Sequence, residues 1–378
     1  MSEKRVIKPG ATIGVLGGGQ LGRMMALAGR ALGYRFATLD PTEDCPCAQV
    51  SDNHIVTGYA DVNGALELAQ KSDVITYEFE NVDANVAAVL EEKSYVPQGS
   101  ELLRITQNRI REKSTLASFG IPVAAFRIIE SETDAETAVL ELGLPAVMKT
   151  ATGGYDGKGQ YVIRKVEEAA PAYRELAKAG TDIIIEQFVP FIKEISVIAA
   201  RSVSGEIRTF PVAENIHREN ILHVSIVPAR IGQAVAERAE ELAVTIAEKL
   251  GVVGLIAVEM FVTGEGSVLV NELAPRPHNS GHYTMDACVT SQFEQHIRAI
   301  CDLPLGDTAL LSPVVMVNIL GEHLAPVLDK IEKLPRSAKL HLYGKKDSKP
   351  KRKMGHINVL AESVEAALQG IEQLQIWE

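Results

Sequence analysis

Cysteine is scarce in this chain. Cys45, Cys47, Cys288 and Cys301 form neither a C-x-x-C pair nor a His/Cys cluster at zinc spacing, which sets aside a zinc site and a redox motif. Reduced buried thiols are the reading, with Cys45-Pro46-Cys47 in a polar loop that leaves partial exposure open as the alternative. Long apolar runs are also missing, so no bilayer-spanning segment is expected. The start MSEKRVIKPG is charged with no apolar core behind it; no signal peptide is visible and a cytoplasmic location is expected. Positive charge is in deficit. With 38 Lys and Arg against 49 Asp and Glu the formal charge is −11, which argues against a nucleic-acid coat or an anionic membrane surface, since both need a broad basic field. Any anion site must be local. The pattern G-x-x-x-x-G-K-[ST] is absent, which excludes a Walker-type NTPase, and there is no internal repeat or heptad array.

What is present is ordinary for a globular protein: 46% apolar and 23% charged residues, in 378 positions that can form two or three domains. The densest signal is Val147 to Arg164, VMKTATGGYDGKGQYVIR, an apolar run closing on Lys149, a loop with Gly153, Gly154, Gly157 and Gly159, and a second run. Glycines let backbone N–H groups turn towards an anion, and Lys149 adds a positive charge, so a nucleotide phosphate is the natural ligand. By itself the stretch is equally a glycine hairpin without a ligand.

Residues 12–40 read as strand, glycine turn, helix and strand, and Gly17, Gly19 and Gly22 satisfy G-x-G-x-x-G. Asp40 lies near the spacing of a dinucleotide ribose carboxylate, which makes an NAD-dependent dehydrogenase the rival reading; yet such a turn holds any phosphate or none. Strand and helix alternate to Gly99, predicting a parallel sheet, with Glu78 in YEFEN at a strand end and open to either substrate contact or a structural role. A helix over 101–119 carries Arg104, Arg109, Arg111 and Lys113, most of them expected in solvent. A smaller unit follows, ending in the strand DIIIEQFVP. Further on, two apolar strands flank Gly264–Ser267. A four-residue loop there places Glu259 directly opposite Glu272 on one face, and like charges so placed call for a hard cation such as Mg²⁺, or else a shared proton or water. Arg276 and His278 come next, in a cluster of donors suited to a small anion. A last basic turn carries Lys345 and Arg352, best motivated by one substrate phosphate.

Taken together, GVLGGGQLGRM, YEFENV, MKTATGGYDGKGQ, EQFVPF, NELAPRPHNSGHYT and KRKMGHINV resemble the ATP-grasp superfamily, and within it the 5-(carboxyamino)imidazole ribonucleotide synthetases, the ATPase subunits of phosphoribosylaminoimidazole carboxylase. The resemblance runs over essentially the whole chain. It implies a mixed α/β and α+β ATP-grasp fold: a Rossmann-like domain over 1–100, a lid subdomain with its leading helix over 101–187, and an antiparallel α+β domain over 188–378 that includes a small subdomain from about 315. It implies carboxylation of 5-aminoimidazole ribonucleotide with ATP, Mg²⁺ and bicarbonate in purine biosynthesis, and a homodimer. By the same resemblance Arg109, Lys113 and Lys149 would touch ATP phosphates under the loop Gly154, Tyr155, Asp156, Gly157, Lys158, Gly159 and Gln160. Glu186, Gln187, Phe188 and Val189 would meet the adenine and Glu194 the ribose, with His217 and Asn271 alongside and Glu259 and Glu272 on Mg²⁺. The ribonucleotide would lie against Gln20, Leu21, Glu78, Asp156, Arg276, Lys345 and Arg352. Lys149, Asp156, Arg276 and His278 would carry the chemistry, Asp156 by orienting or deprotonating the exocyclic amine. Other ATP-grasp ligases, such as formate-dependent glycinamide ribonucleotide transformylase or D-alanine ligase, are the nearer alternative; a non-enzymatic nucleotide sensor is a third class.

Overall fold

The computed structural model describes residues 5–154 and 158–377. The chain begins with β1 (Thr12–Leu16), α1 (Gln20–Ala31), β2 (Arg35–Leu39), β3 (Asn53–Ile55), α2 (Val62–Gln70), β4 (Val74–Tyr77) and α3 (Ala84–Lys93). The strands form a parallel sheet in the order β3-β2-β1-β4. TIGVL and VITY read as continuous apolar runs because helices cover both faces, as parallel strands require. Leu21, Met24 and Met25 of α1 pack on one face, and α2 and α3 close the other around Leu68, Val86 and Leu90. Cys45 and Cys47 are buried against this domain as free thiols, in line with the main reading of the cysteines, and burial pushes them up to about 11 and about 12.

The helix expected over 101–119 is two helices, α4 (Glu101–Thr106) and α5 (Arg109–Ser118). Asn108 breaks it. Its side chain accepts from the N–H groups of Ile110 and Arg111, a cap that competes with helix continuation. The lid unit follows with β5 (Phe126–Ile129), α6 (Glu132–Leu142), β6 (Ala146–Thr150), β7 (Gln160–Ile163), α7 (Ala169–Ala177) and β8 (Ile183–Gln187), an antiparallel sheet ordered β5-β8-β6-β7.

The largest sheet has nine strands, ordered β14-β13-β9-β11-β12-β15-β17-β16 with β10 on β9. It is built from β9 (Phe191–Arg201), β10 (Ile207–Thr209), β11 (Ala213–Arg218), β12 (Ile221–Val227), α8 (Gln233–Lys249), β13 (Gly254–Thr263), β14 (Val268–Ala274), α9 (Thr284–Ala287), α10 (Gln292–Ile300), β15 (Val314–Leu320), α11 (Gly321–Asp329), β16 (Ala338–Leu342), β17 (Lys353–Leu360) and α12 (Val364–Glu372). Period-two alternation divides its faces. Ile195, Val197, Ile256, Val258 and Met260 meet Leu242 and Ile246 of α8, while Glu194, Ser196 and Glu259 point the other way. α10 joins the N-terminal core through Phe293, Ile297 and Ile300, so the first and last thirds of the chain share buried surface. Among the described residues no helix is long and apolar enough to cross a membrane.

Candidate active site

A cavity of about 680 Å³ lies where the three sheets meet. Its floor is the β13–β14 hairpin. Near the turn, Val262 pairs with Val268 and Met260 with Val270, a register that would set Glu259 against Asn271. A bulge beside Met260 accommodates Asn271 as one extra residue, and Glu259 therefore faces Glu272. The expected pairing is present, but the uninterrupted register from which it was counted is not. Val268, Val270 and Leu273 all join the core against α8, which leaves both Asn271 and Glu272 lining the cavity.

Two protein groups pair with these carboxylates. Arg109 Nη1 lies 3.4 Å from Glu272 Oε2, and His278 Nε2 lies 3.0 Å from Glu259 Oε1. Burial pushes Glu259 up, but the hydrogen bond from His278 outweighs it and holds the carboxyl below its usual range. Two carboxylates and an amide oxygen form a hard-oxygen donor set, suited to a divalent cation that shares its remaining positions with phosphates.

The opposite wall supplies positive charge. Lys149 Nζ is 2.9 Å and Lys113 Nζ 3.4 Å from Glu186 Oε2, so one carboxylate holds two ammonium groups. Lys113, on a helix whose basic residues were mostly expected in solvent but itself assigned by the resemblance to the ATP phosphates, has a side chain only 2% exposed. Its Nζ makes no hydrogen bond among the described residues. A buried ammonium without a full partner set suits a ligand anion. Burial lowers the Lys149 pKa against the pull of Glu186, whereas Glu186, which burial alone would raise, is lowered by Lys113 and then Lys149.

Arg109 also donates to the Gly154 carbonyl at 3.1 Å, tying α5 to the glycine loop. Gly154 and Gln160 line the cavity. Gly159 has φ +70°, and a Cβ there would come within 2.6 Å of Thr150 Oγ1, so glycine is required where the loop returns to β7. Lys158 is exposed. Tyr155, Asp156 and Gly157 lie outside the described residues, and with them the residue expected to handle the amine.

Gln187, Phe188 and Val189 line the cavity, but the Glu186 carboxylate is turned to the lysines. Glu194 and His217 are paired at 2.7 Å on the same wall. Burial opposes charge on His217, and Glu194 overcomes it and raises its pKa.

Of the residues expected against the ribonucleotide, Arg276 lines this cavity; Gln20, Leu21, Glu78, Lys345 and Arg352 do not. The Leu21 side chain is buried in the N-terminal core. Glu78 accepts from the backbone N–H groups of Gly19 and Gly22, the second at 2.6 Å, and so caps α1 at the position where a dinucleotide phosphate would sit. Desolvation raises its pKa to about 7. Asp40 accepts from Gly18 N–H at 2.9 Å and from Tyr59 Oη at 2.5 Å, so the carboxylate that suggested a ribose contact braces the loop instead. These two carboxylates correct the NAD reading. Lys345 donates to the Lys353 carbonyl at 2.8 Å, and burial lowers its pKa to about 8; Arg352 is exposed and donates to the Asp347 carbonyl at 2.9 Å.

Glu80, Lys353 and Asn279, which the sequence offered only as members of polar clusters and without a role of their own, all line the cavity. Glu80 takes both Nε and Nη2 of Arg276, the latter at 3.0 Å; burial opposes its charge, yet the guanidinium lowers its pKa to about 2. It lies two residues from Glu78 in the stretch already singled out, but its partner is 196 positions away.

A nucleotide-sized cleft between a small antiparallel lid and a larger antiparallel sheet, lined by paired carboxylates and by Lys149, defines an ATP-grasp enzyme. Family models agree in chain order: a ribonucleotide synthetase preATP-grasp domain over residues 10–107, an ATP-grasp domain over 114–293, and a phosphoribosylaminoimidazole carboxylase C-terminal domain over 314–370. The chain is 53% identical over 371 residues to the N5-carboxyaminoimidazole ribonucleotide synthase of Bacillus subtilis (strain 168), covering 97% of this chain and 96% of that one. It matches a crystal structure of the ADP complex of an N5-carboxyaminoimidazole ribonucleotide synthetase with TM-score 0.96, 56% identity and coverage of 99% and 98%. It also matches the synthase from Aspergillus clavatus in complex with ADP and 5-aminoimidazole ribonucleotide, with TM-score 0.90, 30% identity and 97% coverage of both. The chain belongs to the N5-carboxyaminoimidazole ribonucleotide synthase family, the ATP-grasp ligases of purine biosynthesis that carboxylate this ribonucleotide and form ADP.

Proposed function

We propose that this chain activates bicarbonate with ATP and delivers the carboxyl group to the exocyclic amine of 5-aminoimidazole ribonucleotide, using the cavity walls described above. A bicarbonate oxygen attacks the γ-phosphorus, the bridging P–O bond to ADP breaks, and carboxyphosphate forms. The amine nitrogen then bonds to the carboxyl carbon, directly or through released CO₂, as the C–O bond to phosphate breaks. Lys149, Lys113 and Arg109 hold the ATP phosphates, since phosphoryl transfer is mainly positioning and charge neutralisation. Gln187, Phe188 and Val189 receive the adenine; Glu194, His217 and Asn271 line the nucleotide site. Glu259 and Glu272 are the residues that would hold Mg²⁺, which when bound neutralises phosphate charge. Arg276, oriented by Glu80, and His278 face the carboxyl group being transferred. Asp156 orients or deprotonates the amine. The loop from Gly153 to Gln160 excludes water, which carboxyphosphate would not survive.

Glu78, at the mouth of the glycine turn, and Lys345 and Arg352, in the basic turn, are the residues we assign to the ribonucleotide, with Gln20 and Leu21 offering contacts at the start of α1. The same reading divides the chain near residues 100 and 187 and includes a homodimer in the cytoplasm. The observation that carries the proposal is that Glu259 and Glu272, paired across one hairpin, line a nucleotide-sized cavity together with Lys149, which shares Glu186 with the buried Lys113. Phosphate release measured with each candidate acceptor, with and without bicarbonate, tests it. Release that needs both bicarbonate and 5-aminoimidazole ribonucleotide is expected; release driven by formate with glycinamide ribonucleotide, or by D-alanine, would replace the reading.

A further inference from the structure

Four polar side chains lie beneath His278 on a sheet whose opposite face is apolar. Ser196 on β9, Asn215 on β11, Ser225 on β12 and Ser280 are all buried, at 2%, 6%, 0% and 1% exposure. Ser196 stands directly across the β9–β13 ladder from Glu259, and Asn215 across the β11–β12 ladder from Ser225. Their hydrogen bonds form one chain, and its direction can be read from one end. The Ser280 backbone N–H points at His278 Nδ1 at 3.4 Å, so this nitrogen accepts. Ser280 Oγ, 2.9 Å from the same nitrogen, must then donate to it. Its single proton is thereby committed, so it accepts from Ser196 Oγ at 2.8 Å. Ser196 in turn accepts from Asn215 Nδ2 at 2.9 Å, which leaves Asn215 Oδ1 to accept from Ser225 Oγ at 2.8 Å. Reversing any one link would set two protons or two acceptors against each other at a buried position, where an unmade hydrogen bond is costly.

We propose that Ser196, Asn215 and Ser225 are positioning residues for the reaction, acting through Ser280 to hold neutral His278 as the tautomer protonated on Nε2, which donates to Glu259 Oε1. Towards the cavity His278 is then a hydrogen-bond donor and not a base, and it fixes one oxygen of the carboxylate assigned to the cation. Groups that orient a metal-binding carboxylate from behind affect turnover without touching substrate. The proposal rests on the reading of Glu259 and His278 as site residues.

The test uses the full-length, ligand-free chain labelled with ¹⁵N-histidine, at a pH where its histidines are neutral. Two-bond ¹H–¹⁵N correlation spectra report each ring's tautomer, with His278 assigned by its absence in His278→Gln. The wild type is expected to show a protonated Nε2 and an unprotonated Nδ1. Ser196→Ala is expected to draw the two shifts together and to lower kcat about 10-fold with KM for ATP unchanged. Ser225→Ala, one amide further away, is expected to do the same more weakly and serves if Ser196→Ala does not fold; Ser196→Thr, which keeps the hydroxyl, is expected to stay near wild type. A wild-type ring protonated on Nδ1, or wild-type shifts and kcat in the Ala variants, would overturn the proposal. Full turnover by His278→Gln would overturn the site reading beneath it; turnover that needs His278 but not Ser196 or Ser225 would overturn the proposal alone.

Discussion

Glu259 and Glu272 face each other across β13 and β14 because Asn271 is one residue more than the ladder needs. Each carboxylate has its own partner, a hydrogen bond from His278 and the guanidinium of Arg109 respectively. The hairpin is thus a preformed, partly neutralised anion pair. Glu272→Gln is expected to lower kcat by about 100-fold or more, consistent with loss of an electrostatic transition-state contact. The Tm should hardly change, because the Glu272 side chain is 49% exposed. Deleting Asn271 should cost no more than about 1 kcal/mol in urea unfolding, since unbroken alternation from Val270 keeps Leu273 in the α8 core and leaves Glu272 on the cavity face opposite Glu259.

Lys113 and Lys149 share Glu186. Lys113→Met leaves that carboxylate paired with Lys149, so the chain should fold with near-wild-type stability while affinity for ADP, by calorimetry, falls about 10-fold. Glu186→Gln leaves two buried ammonium groups facing each other and should destabilise by about 3 kcal/mol. The opposite ranking of the two variants in stability would contradict this assignment.

Arg276 is held by Glu80, which makes the pair a strap between the segments matched by the preATP-grasp and ATP-grasp family models as well as a site element. Glu80→Gln and Arg276→Met should each cost about 3 kcal/mol, and the double variant less than their sum. A double-mutant cycle in urea gives the coupling. Glu80→Gln should also raise KM for the ribonucleotide while leaving ADP affinity unchanged.

Acid should weaken the fold through buried histidines. His296 contacts Thr76 Oγ1 at 2.8 Å in the seam between β4 and α10, and burial lowers its pKa from 6.5 to about 3. The unfolded chain therefore takes up a proton that the folded chain refuses: the stabilisation is fully present above pH 6.5 and is lost progressively down to about pH 3. Between pH 7.5 and pH 5 this one group should remove up to about 2 kcal/mol, seen as a fall in urea midpoint that His296→Gln reduces.

Local pattern made much of this architecture legible. The strand, glycine turn and helix of β1 and α1 are encoded within a few residues of each other, as are the glycine loop and the alternation that marks β13 and β14. What sequence could not show depends on register or distant partners. The Asn271 bulge is invisible until the ladder is drawn, and the expected facing of Glu259 and Glu272 was reached through a different register. The burial of Lys113 was not legible in the local pattern, because the cap at Asn108 sits inside what looked like one helix, and only the resemblance set it near the phosphates. Glu80 read only as one of two acids at a strand end because nothing nearby reveals Arg276, and Asp40 suggested a nucleotide contact until Gly18 and Tyr59 were seen to occupy it. Lys353 was masked by a run of neighbouring charges, although it opens β17 and alone of that run lines the cavity.

The central claim is that bicarbonate attacks the γ-phosphorus of ATP in this cavity before the amine is carboxylated. Turnover with ¹⁸O-labelled bicarbonate, followed by mass analysis of the released phosphate, reads that step directly. The account predicts one bicarbonate oxygen in each phosphate released, in proportion to carboxylated ribonucleotide. Unlabelled phosphate, or phosphate release that continues at full rate without bicarbonate, would contradict it.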